Sequence, residues 1–232
     1  MFFIFLMDYL YLNNYMKKTL IIAMLLGIGI QVFAQNCGSY FTQKQGTVLQ
    51  FTNYDKNNKV ESYSETKLDK IEASQVAVTV RELDKKKVQQ SEVKATVTCN
   101  GGRMIFDMKG QMGKQAAGFP DATITGDNLE YPSVMTVGQE LKDCSVKIGS
   151  PQLPFSLEMQ INNRKVVAKE TITTAAGTFE CYKITYSVTT KMMMDIKMTG
   201  IQWYSTTLGV IKIQSFDTAG QLQSVSQLEA IN

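Results

Sequence analysis

Residues 177–184 read GTFECYKI, residues 202–204 read QWY, and residues 208–211 read LGVI. The first stretch opens with a glycine, which suits a turn, and continues with β-branched and aromatic residues that favour strands. The second contains Trp203, the only tryptophan of the chain, and the third places Gly209 among apolar residues. Such segments in close succession predict consecutive β-strands joined by short turns.

The same pattern extends over most of the chain. Val76, Val78 and Val80 alternate with other residues and therefore share one face of a predicted strand. This period of two predicts an all-β fold, a single curved and partly closed antiparallel sheet of the half-barrel or barrel-like kind, with a β-sandwich as the alternative. The predicted strands lie at 47–54, 60–68, 75–83, 88–99, 155–161, 166–173, 178–188, 196–205, 210–216 and 222–231.

Aspartates mark three of the predicted hairpins. Asp55, Asp84 and Asp217 each follow a predicted strand directly or within one residue. An aspartate side chain can accept hydrogen bonds from the turn backbone, and asparagine or glycine in the turn can adopt a positive φ. Pro132 restricts its segment to a sheet edge or a turn. Weaker signals predict a turn at 162–163 and short helices at 68–73 and 111–117.

The N-terminal region has the pattern of a secretory signal peptide. Two lysines follow Met16, an apolar run covers 20–33, and an alanine stands at the expected cleavage site. We predict a signal peptide over 1–34, with a start of translation at Met16 accounting for 1–15, and one all-β domain over 35–232. The apolar run is shorter than the roughly 20 residues of a membrane-spanning helix. The mature chain is therefore expected to lack a transmembrane segment and to work in the periplasm, at the outer membrane or outside the cell.

The charge of the chain argues against a nucleic-acid partner. The sequence contains 24 lysines and arginines against 21 aspartates and glutamates, a net charge of +3. Removal of the predicted signal peptide leaves a net charge of +2. Nucleic-acid binding requires a basic patch that can neutralise several phosphates, and this balance does not provide one.

The four cysteines, Cys37, Cys99, Cys144 and Cys181, all lie in the predicted mature chain. An even number of cysteines in an exported chain predicts two disulfides, with three pairings open. The sequence has no histidine and no Cys-x-x-Cys spacing, so it does not favour a zinc site. The residues before Cys37 lack the pattern that precedes an acylated cysteine, so lipidation is not expected.

The composition also limits the possible chemistry. Without histidine there can be no Ser-His-Asp or Cys-His catalytic site, and no glycine-rich phosphate loop is present. A hydrolase that uses a pair of carboxylates stays open as an alternative. The oxygen-rich segment with Asp121, Asp127 and Glu130 could hold Ca²⁺, although turn capping accounts for it better because the spacing differs from a calcium loop. We predict no catalytic residues, no metal and no cofactor.

Methionines are the residues that most favour a binding function. Four of the seven residues from 192 to 198 are methionine, and two more flank Phe106 at alternate positions. Methionine is flexible and polarisable, which suits adaptable apolar surfaces. Ordinary core packing is the alternative, and Cu(I) bound by thioethers is a third interpretation. The predicted ligand site consists of Trp203, Met192, Met194, Met198, Met104 and Met108.

The ordered series of motifs resembles the TapB-like exported β-proteins of Gram-negative bacteria, which are related to a periplasmic domain family of unknown function. The resemblance rests on the turn at 177–179, the tryptophan-containing strand at 202–204, the Leu-Gly-Val strand at 208–210 and the hairpin at 216–222. It implies an exported all-β domain without an established activity, and it supplies no catalytic residues.

The sequence therefore predicts an exported, non-enzymatic β-domain that binds a hydrophobic small molecule or lipid. A periplasmic or surface protein-interaction module and a carboxylate-dependent hydrolase are the alternatives. The expected partner is a hydrophobic ligand or a protein of the cell envelope.

Overall fold

The computed structural model describes residues 42–109, 121–151, 157–192 and 194–232. All of them belong to one structural unit, Gln35–Asn232. The predicted signal peptide, the predicted helix at 111–117 and Cys37 fall outside these ranges, so they stay predictions. Within the described ranges, no helix has the length and apolar character needed to cross a membrane.

Most of the described residues belong to thirteen β-strands, β1 to β13, which form one sheet. Every neighbouring pair in this sheet is antiparallel. The predicted all-β class with a single antiparallel sheet is therefore confirmed. In chain order the strands span Val48–Asp55, Val60–Ile71, Gln75–Asp84, Gln89–Asn100, Arg103–Phe106, Thr123–Gly126, Leu129–Pro132, Cys144–Gly149, Leu157–Thr174, Gly177–Lys191, Asp195–Ser205, Gly209–Phe216 and Leu222–Ile231.

The sheet curls until its two edges nearly meet. The strand order is β6-β8-β9-β10-β11-β12-β13-β1-β2-β3-β4-β5-β7, so β6 and β7 are the opposite edges. Only Asp127 and Asn128 separate the end of β6 at Gly126 from the start of β7 at Leu129. So short a connection spans at most about 10 Å. Because β6 and β7 are not paired in the described strands, the sheet is curled but is not closed by hydrogen bonds.

Two local predictions are wrong. The predicted strands at 155–161 and 166–173 form one strand of 18 residues, β9, with no turn between them. Asn163 has a φ of 55°, and the pairing of β9 with β10 shifts register near this point, so the strand passes through bulges here. The predicted helix at 68–73 is also wrong, because β2 continues to Ile71. Pro132 is the last residue of the edge strand β7, as its missing N–H predicts.

The cysteines do not form two disulfides. Cys144 and Cys181 are buried free thiols, so the prediction is wrong for these two. Their ladder partners on β9, Ile161 and Glu170, are nine positions apart, which corresponds to about 30 Å of strand. A disulfide requires Cα atoms within about 7 Å. The other two cysteines are left as a candidate pair, and their disulfide stays a prediction because one of them lies outside the described residues.

Buried side chains form three clusters in this sheet. The first contains Tyr131 and Tyr204, the second contains Trp203, and the third contains Cys144. Trp203 and Tyr204 are successive residues of β11, and successive side chains of a strand point to opposite faces. The sheet therefore buries apolar side chains on parts of both its faces.

Three hairpin turns share one geometry, which confirms the predicted role of their aspartates. In each, the carboxylate accepts hydrogen bonds of 2.8–2.9 Å from the backbone N–H groups two and four residues later; these carboxylates belong to Asp55, Asp84 and Asp217. The residue three positions after the aspartate has a φ of 60° at Asn58, 63° at Lys87 and 76° at Gly220.

We expect Lys87→Gly to raise the free energy of unfolding by about 0.5–1 kcal/mol, because a left-handed backbone conformation costs lysine more than glycine. Urea denaturation measures the change. Asn58→Gly should have a smaller effect, since asparagine tolerates this conformation better. Lys87→Ala keeps the strained φ but removes the ammonium, which lies 5.1 Å above the Tyr63 ring, and it should not stabilise the protein. A Lys87→Gly protein no more stable than Lys87→Ala, which loses the same ammonium, would show that position 87 is not strained.

Candidate functional site

We call the seam the place where the edge strand β7 and the segment before β8 approach β9. A buried arginine lies at this seam. Arg164 on β9 is only 2% exposed. Its guanidinium donates hydrogen bonds to the backbone oxygen of Lys142 at 2.6 Å and to that of Glu130 at 3.1 Å. Glu130 belongs to the edge strand β7, and Lys142 lies just before β8. One side chain therefore connects β9 to the two segments that approach it at the seam.

Tyr131, next to Glu130 on β7, packs against both Arg164 and β11. Its ring stacks on Tyr204 of β11, with centroids 4.3 Å apart and planes 5° apart. The Arg164 Cζ atom lies 4.7 Å from the centroid of the same ring. The Tyr204 ring and the Arg164 guanidinium are both too close to Tyr131 to lie on the same face of its ring, so the Tyr131 ring lies between them. The Gln202 side-chain amide donates to the Tyr131 hydroxyl at 2.9 Å, and Phe106 meets the ring edge-on at 5.6 Å.

The Glu130 carboxylate points to the surface side of the seam instead of pairing with Arg164. It accepts a hydrogen bond from Lys142 at 3.0 Å and one from Arg103 at 3.1 Å. The Lys142 ammonium, and to a smaller extent the Arg103 guanidinium, hold the pKa of Glu130 below its usual value. No carboxylate of the described residues lies within ion-pair distance of Arg164. The buried positive charge of Arg164 is therefore stabilised by backbone carbonyls and by the Tyr131 ring.

An apolar cavity of about 190 Å³ is lined by residues of the first and second buried clusters. Val78 and Val80 of β3 form one wall, and the turn around Gly209, which has a φ of 86°, forms the opposite wall. Apart from one threonine and the glycine, its lining is entirely aliphatic or aromatic. The full lining is Leu49, Phe51, Thr66, Leu68, Val78, Val80, Val97, Phe106, Leu208, Gly209 and Val210.

Trp203 does not line this cavity. It is 7% exposed and belongs to the second buried cluster. Its indole N–H donates to the Glu170 carboxylate at 2.6 Å, and the ammonium groups of Lys183 and Lys212 lie 5.2 and 5.5 Å from its ring. These lysines are its neighbours on the two adjacent strands. Packing and a hydrogen bond thus already account for Trp203, and its role in ligand binding stays a prediction.

The predicted methionine site is dispersed. Met104 is buried in the first cluster and Met108 in the third. Met192 and Met194 are exposed near the end of the β10–β11 hairpin, and Met198 is half-buried on β11. The structure therefore does not bring these methionines together around one pocket, and their role as ligand contacts stays a prediction. The cavity uses the valine stripe of β3 instead, which sequence analysis identified only as a strand face.

Metal and thiol chemistry have little support in the described residues. They contain no group of three or more histidine, cysteine, aspartate or glutamate side chains arranged to hold a metal ion. Burial, helped by the charges of Glu170 and Glu180, raises the pKa of the Cys181 thiol to about 12. Burial also raises the pKa of Cys144. Thiols that stay protonated at neutral pH are weak nucleophiles.

We expect folding stability to fall as pH rises from about 9 to 12. Unfolded Cys181 ionises near its ordinary pKa of 9.0, whereas the folded thiol holds its proton to about 12. The free energy of unfolding that the protonated Cys181 thiol contributes is therefore complete below pH 9. It is lost as pH rises through the pKa of the folded state. Urea denaturation at pH 8 and pH 10.5 should show a larger loss in the parent than in Cys181→Ala. Equal losses in the two proteins would contradict this assignment.

We expect Arg164→Met to lower the free energy of unfolding by about 2–4 kcal/mol, because it leaves two partly buried carbonyls without their charged donor. Urea denaturation measures the loss. Lys165→Met, at the exposed neighbouring position of the same strand, is the matched control and should change stability by less than about 0.5 kcal/mol. Similar effects of the two substitutions would mean that Arg164 does not hold the seam together.

The family model described as DUF3108-like matches residues 44–228. The chain belongs to the DUF3108-like family. The match spans the sheet from the entry into β1 to the middle of β13 and includes the seam and the cavity. The narrower resemblance to TapB-like proteins stays a prediction. No curated protein matches the chain significantly.

Two crystal structures are similar to this DUF3108-like chain over 83% of its length. One is described as an exported protein with a YmcC-like fold from Bacteroides fragilis; it has 23% identity, a TM-score of 0.68 and 98% of its own chain covered. The other is described as a lipoprotein from Parabacteroides distasonis, with 24% identity, a TM-score of 0.68 and 98% coverage. At this identity the similarity shows a common fold.

Proposed function

We propose that this DUF3108-like protein works after export as a non-enzymatic domain of the cell envelope that binds an apolar group, such as part of an acyl chain. The observation that carries the proposal is the apolar cavity between β3 and the turn around Gly209. The predicted signal peptide and the exported and lipoprotein descriptions of the two structural neighbours support an envelope location, in the periplasm or at the outer membrane.

The volume of the cavity limits what it can hold. Sites for drug-sized molecules begin at roughly 300 Å³, whereas this cavity measures about 190 Å³. Apolar cavities of about 150 Å³ stay dry and can take up benzene. The cavity therefore suits one end of an acyl chain or a single ring, and the remainder of a larger ligand would lie outside it.

A carboxylate-dependent hydrolase has less support. A general acid of this kind needs a raised pKa, so that its carboxyl stays protonated at neutral pH. Glu130, the carboxylate held by two cations at the seam, has a lowered pKa instead. It is suited to a structural ion pair, and the hydrolase stays an untested alternative.

We expect the parent protein to bind the fluorescent fatty acid cis-parinaric acid, and Val80→Phe to weaken that binding at least about tenfold, because a phenyl ring fills the cavity. Fluorescence titration measures the affinity, and thermal unfolding verifies that the variant is folded. Val167→Phe, at a position of β9 that is 40% exposed, is the control and should bind like the parent. A parent that does not bind the probe, or a folded Val80→Phe that binds it equally well, would refute the cavity as the binding site.

A further inference from the structure

The hairpin formed by β10 and β11 projects beyond the neighbouring strand β12. β10 runs to Lys191 and β11 starts at Asp195. β12 pairs with β11 only from Thr199 onward. Residues 195–198 therefore extend past β12 by about 13 Å. On the other side, β9 pairs with β10 as far as Lys191, which lies opposite Glu158. The end of the hairpin is therefore paired with a neighbouring strand along β10 and has a free edge along β11.

The end of this hairpin exposes apolar side chains. Met192 is 45% exposed, Met194 is 80% exposed and Ile196 is 48% exposed. They form the densest group of exposed large hydrophobic residues in the described chain. A concentrated exposed apolar patch on a folded protein commonly marks a site of contact with a partner or a membrane. Val134 and Val137, before β8, form a smaller exposed pair, and Val60, Val88 and Val167 are exposed singly, so three such residues within five positions occur only at this hairpin in the described residues.

Lysines flank the apolar group. Lys191 and Lys197 stand on the two strands directly behind it, and Asp195 is the one acidic residue between them. The Lys191 ammonium lies 3.5 Å from the carboxylate of Glu158, its pairing partner on β9. Lysine can lay its aliphatic part along apolar surface while its ammonium group stays in a polar layer. Counting Glu158, the charges around the apolar tip sum to zero, and Lys197 is the lysine of this hairpin end that has no ion pair among the described residues.

We propose that the tip of the β10–β11 hairpin inserts into the surface of a lipid bilayer, with Met192, Met194 and Ile196 among the upper acyl chains and Lys197 at the phosphate layer. A stable protein interface needs roughly 800 Å² from each partner, far more than three side chains expose. A bilayer has no such minimum area, because a few apolar side chains give reversible binding that basic residues strengthen. The projecting shape also suits insertion.

This surface is separate from the proposed acyl-binding cavity. Ser205, which pairs with Gly209 at the cavity wall, lies nine positions along β11 from Ile196, or about 30 Å. Substitutions at the hairpin tip should therefore leave the binding of cis-parinaric acid unchanged. Failure of one proposal can thus be distinguished from failure of the other.

The test uses the full exported chain and vesicles of phosphatidylethanolamine and phosphatidylglycerol at a ratio of 3:1. We expect the introduced tryptophan of Met194→Trp to be quenched by lipids brominated on their acyl chains. Val88→Trp places the same side chain at another exposed turn and should not be quenched. The parent, with only the buried Trp203, provides the background. An unquenched Met194→Trp, or equal quenching at both positions, would overturn the proposal.

The double substitution Met194→Gln with Ile196→Gln should weaken partitioning to these vesicles about tenfold, because it removes two apolar side chains from the inserted tip. Flotation measures the bound fraction, and Val88→Gln is the control. Lys197→Gln should weaken binding only when phosphatidylglycerol is present. A soluble oligomer that the double substitution dissociates, without quenching by lipid, would identify a protein contact instead and would refute membrane insertion.

Discussion

The buried guanidinium of Arg164 is the interaction on which the curled form of the sheet most depends. A buried charge is costly unless its donors are satisfied, and two of the acceptors here are carbonyls on separate segments of the chain. These acceptors are in place only when β7 and the segment before β8 have both reached β9. The arginine therefore couples the edge strand β7 to β9 and to the segment before β8, and the ring of Tyr131 extends this coupling to β11.

The curl of the sheet separates the features that bear on function. The seam occupies one side of the first buried cluster, where Tyr131 contacts Phe106, and the apolar cavity begins at the same phenylalanine. Phe106 is thus part of both. The seam restrains one wall of the cavity, whereas the turn around Gly209 forms the other. The tip of the β10–β11 hairpin lies far along β11 from the cavity, so the two proposed roles, holding an apolar group and contacting a membrane, use separate surfaces.

Sequence patterns predicted the long strands well because their faces alternate over many residues. They did not predict β5, β6, β7 and β8, which are four to six residues long and offer too few alternations. They placed a turn at Asn162 and Asn163 because asparagine favours turns, whereas continuous pairing with β10 keeps β9 a strand there.

The binding site was harder to predict than the fold. Trp203 satisfies its polar group with Glu170, and the six residues chosen for one ligand site lie in different clusters or at a hairpin end. The cavity is lined by valines whose sequence pattern is that of any buried strand. A cavity arises from how faces meet in space. The prediction of disulfides at Cys144 and Cys181 failed for a similar reason, because an even count of cysteines gives no distances.

The strand order also has a consequence for when the protein can fold. The edges of the sheet, β6 and β7, come from the middle of the chain, whereas its interior joins β1 to β13, and Val48 exchanges backbone hydrogen bonds with Asn232. Pairings between such distant residues form slowly, because a long loop must close first. If the chain is exported unfolded, as the predicted signal peptide implies, it cannot complete this sheet until its last strand has crossed the membrane, and the topology then delays folding until translocation is over.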